Sequence, residues 1–236
     1  MHLQQTEDPK KIRSAAVQGR GMTIKGGEGP RASNAQDHAR WMRLALGHAE
    51  RALNDGEAPI GCVLLDKQGN VLSEGRNDMR ATGNPVGHAE INAFCAAGAK
   101  ISPQAGVVLV STLEPCVMCT GAAMETGVTT IVFGLRAPAD SGTSRVNPPS
   151  SPGSKAPEII GGVLETESRA LFLQWLTRHE GDASRADQRA FIEQLMALTQ
   201  GFTPAALAPP PPIPAKRPSP AVPSSDRDQT QTNPNA

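Results

Sequence analysis

The sequence predicts a three-layer α/β/α domain on a mixed five-stranded sheet, occupying residues 36–180 of a 236-residue chain. Three observations carry this. Short apolar runs of strand length alternate with stretches of helical periodicity. Two of those runs are joined by a tight Gly-containing turn. Both chain ends are polar, rich in Pro or Gly, and without hydrophobic periodicity.

Trp41, Leu44, Ala45, His48, Ala49 and Ala52 recur at helical spacing and predict an amphipathic helix over residues 37–54. The apolar run Ile60 to Leu65 is a strand. Gln68-Gly69-Asn70 turns it back into Val71 to Gly75, which makes an antiparallel hairpin. An irregular polar stretch follows, then a helix from His88 to Gly98, which ends it. Val107 to Ser111 is a buried strand, and a helix starts near Cys116 behind Pro115. Thr129 to Phe133 is a fourth strand and Ile159 to Leu164 a fifth, despite Gly161 and Gly162; Glu165 to Arg178 closes the domain as a helix. Alternation of helix and strand after the hairpin gives the parallel part of the sheet. The segment 134–158, rich in Pro, Ser and Gly, is long enough for a parallel crossover.

The flanks differ from this core. Residues 1–35 read as a disordered leader, with Met22 a second candidate start. Residues 181–203 read as a helical extension, with a helix over 184–200 and Ser184 as its candidate cap. Residues 204–236, with Pro209-Pro210-Pro211-Pro212, read as a disordered Pro-rich tail.

Composition bounds the function. Formal net charge is zero, and residues 37–180 hold 12 Lys plus Arg against 15 Asp plus Glu, a net of −3. That is a poor base for gripping many phosphates. No apolar run reaches the 18 residues of a membrane span, and the N-terminus lacks the apolar core of a signal peptide. A cytoplasmic protein is expected. Four cysteines in 236 residues are too few for a disulfide scaffold, and two of them form Cys116-Val117-Met118-Cys119.

That pair and His88-Ala89-Glu90 carry the chemistry. Each sits where a helix begins, so two helix starts can face one spot beside the sheet edge, where α/β folds place ligands. Two thiolates and one imidazole make three ligands for a tetrahedral zinc ion and leave its fourth position open to water, the mark of a catalytic site. Zinc lowers the pKa of that water towards neutrality. Glu90, two residues past His88, reaches the water without being a ligand and is the candidate general acid/base. The bland readings are weaker. A lone H-x-E is common, and a lone C-x-x-C could be a redox pair or half of a structural zinc site. A closed four-cysteine site would need Cys62 and Cys95, which both read as core.

H-x-E followed by P-C-x-x-C is the signature of zinc-dependent base deaminases. With Gly56-Glu57-Ala58-Pro59-Ile60-Gly61, Glu74-Gly75-Arg76-Asn77, Leu113-Glu114 before Pro115, and Val132-Phe133-Gly134, it makes residues 37–180 resemble the cytidine/deoxycytidylate deaminase superfamily. The resemblance is greatest to the branch of bacterial tRNA adenosine deaminases, guanine deaminases and fungal cytosine deaminases. It implies a cytidine-deaminase-like fold, one zinc per chain and a homodimer. It also implies that Asn77 hydrogen-bonds the base, that Ile60 lines the pocket floor with Gly61 allowing close approach, and that the backbones of Ala89 and Glu114 face the substrate.

The implied reaction is hydrolytic removal of the exocyclic amino group of a nucleobase or nucleoside, purine favoured. The alternatives are adenosine-to-inosine editing of tRNA, cytosine deamination, and a zinc-bearing but non-catalytic partner subunit. The segment 136–158 holds only Arg136, Arg145 and Lys155 as basic residues. It stands where the tRNA enzymes carry residues that meet RNA, so the choice of substrate is expected to be written in the segment from Gly134 to Glu158.

Overall fold

The computed structural model describes residues 35–102, 106–150 and 154–200. The leader and the Pro-rich tail lie outside the described residues. Helix α1 (Ala35–Asn54) leads into strands β1 (Gly61–Leu65) and β2 (Val71–Arg76). A single helical turn, α2 (Met79–Thr82), precedes α3 (Ala89–Ala97), β3 (Val108–Leu113), α4 (Val117–Glu125) and β4 (Thr130–Leu135). The short β5 (Glu158–Ile160), α5 (Glu165–Arg178) and α6 (Ala186–Leu198) follow.

The sheet is five-stranded in the order β2-β1-β3-β4-β5. β1 is antiparallel to both β2 and β3, whereas β3, β4 and β5 run parallel. The sheet is therefore mixed, as expected. β2 and β3 run the same way on either side of β1, so α3 is a crossover that must lie across β1.

The period-2 alternation of strand side chains divides the core into two faces. Cys62 and Leu64 of β1, Leu109 of β3, and Ile131 and Phe133 of β4 pack under α3 with Ala89, Ala93 and Ala97. Val63, Leu65, Val110 and Val132 face the opposite way onto Trp41, Met42 and Ala45 of α1, with Leu171 of α5 at the margin. Central strands covered on both faces need apolar residues at every position, which is why they read as unbroken hydrophobic runs. This is the three-layer arrangement the sequence predicts.

Three details differ from the sequence reading. The fifth strand stops at Ile160 instead of Leu164, because Gly161 lies flat under the Phe133 ring. A Cβ on Gly161 would sit 2.4 Å from Phe133 Cζ. The chain then turns through left-handed Gly162 and Leu164 (φ 82° and 51°) into α5. The polar stretch after β2 contains α2. Cys95 is exposed, not core: it falls on the outer side of α3, whose inner side is the alanine row.

Beyond β4 a third cluster forms. Phe172 and Trp175 of α5 pack with Ile192, Leu195 and Met196 of α6, and with Leu53, Leu113 and Leu135. Each buried large apolar side chain contributes about 1.5–3 kcal/mol, so three from α6 anchor it firmly. A 3₁₀ turn, Ala183–Arg185, precedes α6. The cap at this entry is Asp182, whose Oδ1 accepts from the Ser184 amide and hydroxyl at 2.9 and 2.7 Å. Ser184, the expected cap, is thus the capped residue.

Candidate active site

One edge of the sheet gathers the ends of several elements. Gly61 pairs with Arg76 and Cys62 with Ser111, so the start of β1 and the ends of β2 and β3 share that edge. The parallel β4 ends beside them, Leu113 opposite Leu135. The residues that follow β2, β3 and β4 are therefore neighbours.

Two helix starts point at this edge. His88 caps α3 from an extended conformation (φ −75°, ψ 151°), and Cys116 caps α4 likewise (φ −68°, ψ 177°). Cys119 lies three residues on, in the first turn of α4, and so faces the same way as Cys116. The loop before His88 is tied down by Asn92. Its Nδ2 donates to the Arg76 carbonyl at 2.9 Å and to Asp78 Oδ1 at 2.8 Å. The loop before Cys116 is fixed from the other side by Gly142. Its amide donates to the Pro115 carbonyl at 2.9 Å, and a Cβ there would meet Cys116 O at 2.2 Å.

His88 Nδ1, Cys116 Sγ and Cys119 Sγ form a triangle with each side 3.6 Å. Tetrahedral zinc with ordinary bond lengths requires about 3.8 Å between sulfurs and about 3.6 Å from nitrogen to sulfur. The donor set and its spacing fit that ion. The three atoms are a group able to hold a metal. Hydrogen bonding from Cys119, then from His88, lowers Cys116 to about 4. The same contact with Cys116, together with burial, drives Cys119 upward. Hydrogen bonding to Cys116 raises His88.

Glu90 is 3% exposed. Its Oε1 accepts from the Ser111 hydroxyl at 2.6 Å, and its Oε2 lies 3.4 Å from Cys119 Sγ. Burial raises its pKa. A carboxyl pushed upward and aimed at a metal-capable triangle is suited to carry a proton in both directions.

A cavity of about 460 Å³ opens onto this corner. His88, Glu90, Cys116, Asn77 and Ile60 line it. The lining includes Glu114 but not Gly61 or Ala89, the first residue of α3, whose side chain is buried against the sheet. Gly61 instead faces α1: a Cβ there would meet the Ala45 carbonyl at 2.1 Å. Its role is helix-to-strand packing, not approach of a base. Asn77 is 2% exposed, and its Nδ2 donates to buried Glu57 Oε2 at 3.3 Å. Glu57 Oε1 also accepts from the Ala81 amide at 2.7 Å, so one carboxylate orients Asn77 and anchors α2. Glu114 is buried too. It accepts from the Ala137 amide at 3.0 Å and from the hydroxyls of Ser141 and Thr143, and so holds the loop after β4.

Sequence reasoning did not reach Ser111, Glu57, Met79, Arg80, Asp140, or the lining residues of the C-terminal segment: Ser184, Arg185, Asp187, Gln188 and Phe191. Ser111 had a readable signal, a polar residue inside a buried strand. The C-terminal residues had none, because only docking of α6 brings them to the cavity.

Residues 35–135 match the family described as the cytidine and deoxycytidylate deaminase zinc-binding region. The tRNA-specific adenosine deaminase 2 of Xenopus tropicalis is 38% identical over 105 residues, 41% of this chain and 61% of that protein. The tRNA(Ile)-lysidine synthase of Deinococcus deserti is 40% identical over 125 residues, 52% of this chain and 24% of that protein. The chain thus spans less than two thirds of the length of these relatives. A solved structure in complex with 2,6-diaminopurine shares the fold, with a TM-score of 0.51 and 22% identity over 64% of this chain and 86% of that one.

Proposed function

We propose that the chain, whose residues 35–135 match the cytidine and deoxycytidylate deaminase zinc-binding region, is a zinc-dependent hydrolytic deaminase of a nucleobase amino group. The substrate in this reading is a free base or nucleoside, purine favoured. One observation carries it: a buried carboxyl, Glu90, sits against the His88–Cys116–Cys119 triangle at the floor of a cavity of about 460 Å³. Cavities of roughly 300–1,000 Å³ suit small organic ligands.

A zinc ion held by His88 Nδ1 and the two sulfurs supplies a water acidified to the neutral range. The chain's own residues do the rest. The base enters with its amine-bearing carbon towards Glu90, packed against Ile60 and Ala58, and Asn77 bonds its polar edge. Water adds to that carbon, and Glu90 moves the water's proton to the adjacent ring nitrogen. It then takes the second proton of the adding water and delivers it to the amine, which leaves as ammonia as the carbonyl forms. Ser111 keeps Oε1 engaged throughout, so the other oxygen of Glu90 does the transfer.

Adenosine in a tRNA is the second reading, favoured by the 38% identity to a tRNA-specific adenosine deaminase. The test is a mass-spectrometric panel of guanine, adenine, cytosine, their nucleosides and an anticodon stem-loop, with Glu90→Gln as blank. A one-dalton gain with ammonia release from a base or nucleoside supports the proposal. Conversion of the stem-loop alone replaces it with the tRNA reading. No conversion of any of them refutes both.

A further inference from the structure

The cavity has two unlike halves. Its floor is buried and mostly apolar, with Ile60, Ala58 and Asn77 around Glu90. Its mouth is polar and open: Arg80 and Asp187 are exposed, and Gln188 is half-buried. The wall carrying Asp187 and Gln188 lies outside the segment that matches the deaminase family.

That wall is held in place. Arg185 donates through Nη1 to the Gly56 carbonyl and lies 3.6 Å from Asp182 through Nε. The Trp175 indole donates to the same carbonyl at 3.4 Å. Arg80 reaches across from α2 to the Ser184 carbonyl at 3.2 Å. The start of α6 is thereby fastened to the loop entering β1 and to α2, the two segments flanking the base-binding floor. Phe191, one turn further along α6, completes the wall.

The charges of the lining are unbalanced. At the mouth, exposed Asp140 and Asp187 stand against Arg80 and Arg185. Arg185 is itself answered by Asp182 at 3.6 Å, which leaves Arg80 alone against the two carboxylates. The free balance at the mouth is acidic, and an acidic mouth repels a phosphate. A carboxylate and a carboxamide lining one mouth are, by contrast, natural partners for hydroxyl groups. The Asp187 carboxylate accepts from them, and Gln188, whose Oε1 accepts from Arg185 Nη1 at 3.4 Å, donates through its amide NH2. An acidic side chain reading ribose hydroxyls is a recurrent solution in nucleotide-binding folds.

We infer that the site takes an unphosphorylated nucleoside, with the base on the floor and the sugar hydroxyls held at the mouth by Asp187 and Gln188 of α6. This rests on the deaminase reading and narrows it. α6 is then the specificity element of the site, and a substrate's sugar is recognised by residues the family segment does not contain.

The test uses the full zinc-loaded chain and measures kcat/KM for base, nucleoside, nucleoside 5′-monophosphate and anticodon stem-loop. The nucleoside should be the best substrate, ahead of its monophosphate by about tenfold or more. Asp187→Ala and Gln188→Ala remove side chains at an exposed and a half-exposed position. Each should reduce the nucleoside-to-base preference about five- to tenfold, through KM, as expected for one hydrogen bond. Asp187→Lys should shift preference towards the monophosphate. Equal losses for base and nucleoside, no loss for either, or a monophosphate or stem-loop as best substrate would each overturn the inference while leaving deamination standing. No deamination beyond the Glu90→Gln blank would remove the underlying reading as well.

Discussion

Gly61→Ala separates two roles that the sequence alone runs together. If Gly61 admitted a base, a methyl there would obstruct the cavity and raise KM. The structure puts that methyl elsewhere: 2.1 Å from the Ala45 carbonyl oxygen, 2.5 Å from the Ala49 amide nitrogen and 2.8 Å from His48 Cβ. Real Cβ contacts stay beyond 3.0 Å, so α1 must retreat by about 1 Å along that stretch. A gap of 0.5–1 Å forfeits a quarter to a half of each contact's attraction. The helix presents nine buried residues, Trp41, Met42 and Leu53 among them. Overpacking of this kind costs about 1–3 kcal/mol and occasionally more; two backbone atoms in the way put it near about 3 kcal/mol. In a chain of this size that lowers Tm by roughly 6–12 °C. Urea unfolding measures the loss, and steady-state kinetics below the transition measures KM, which should hold within about twofold. A variant of unaltered stability with a raised KM would refute the packing argument and restore the expectation that Gly61 faces the base.

Other outcomes follow from the same geometry. Glu90→Gln should retain a full equivalent of zinc by metal analysis while kcat falls about 10²- to 10⁴-fold, the span of general acid–base catalysis; full activity would sink the mechanism. His88→Ala and Cys116→Ala should both lose zinc and turnover together, since each removes one of three ligands. Glu57→Ala frees the Asn77 amide and should raise KM about tenfold, in line with the loss of a buried charged hydrogen bond, with kcat less affected; a kcat-only effect would contradict a positioning role. In zinc-free protein, Cys116 with its pKa at about 4 is a thiolate above that pH and loses it only as pH falls through 4. Alkylation at Cys116, followed by peptide mass mapping, should therefore proceed at pH 5.5 nearly as fast as at pH 7.5. Zinc should block it, and a steep rise in rate between those pH values would count against the thiolate.

The legible part of the fold is the part governed by local pattern. Residues 165–178 and 37–54 carry unbroken helical periodicity, and the observed helices match them within two residues. The runs of β1, β3 and β4 are mostly apolar because both sheet faces are covered, with Ser111 and Thr112 the buried polar exceptions in β3. What failed was decided by contacts across the sheet. Gly161 looks like a tolerated strand glycine until the Phe133 ring is placed over it. Cys95 reads as core by residue type, yet the sheet is met by the alanines of α3. Gly61 belongs to a stretch shared with deaminases and was therefore assigned to the ligand, although its missing side chain makes room for a helix. The metal-capable triangle is legible because its residue types are diagnostic: one turn of α4 pairs Cys116 with Cys119, and His88 opens the other helix, although their meeting spans 28 residues. Ser111 is not, since its contact with Glu90 spans 21 residues and depends on sheet register.

The same distinction between local and long-range information explains why reaction and substrate part company in this chain. His88, Glu90, Cys116, Cys119, Asn77 and Ser111 all come from residues 35–135, the segment that matches the deaminase family. The sequence places the choice of substrate in the segment from Gly134 to Glu158, yet of its described residues only Asp140 reaches the cavity lining. Five lining residues come instead from 184–191, a stretch that sequence reading set aside as an extension. Its position depends on Ile192, Leu195 and Met196 entering the cluster around Trp175, and on Arg185 closing onto Gly56. Under the proposed function, similarity over the matched segment bears on the reaction, whereas the cavity mouth built by α6 lies outside it.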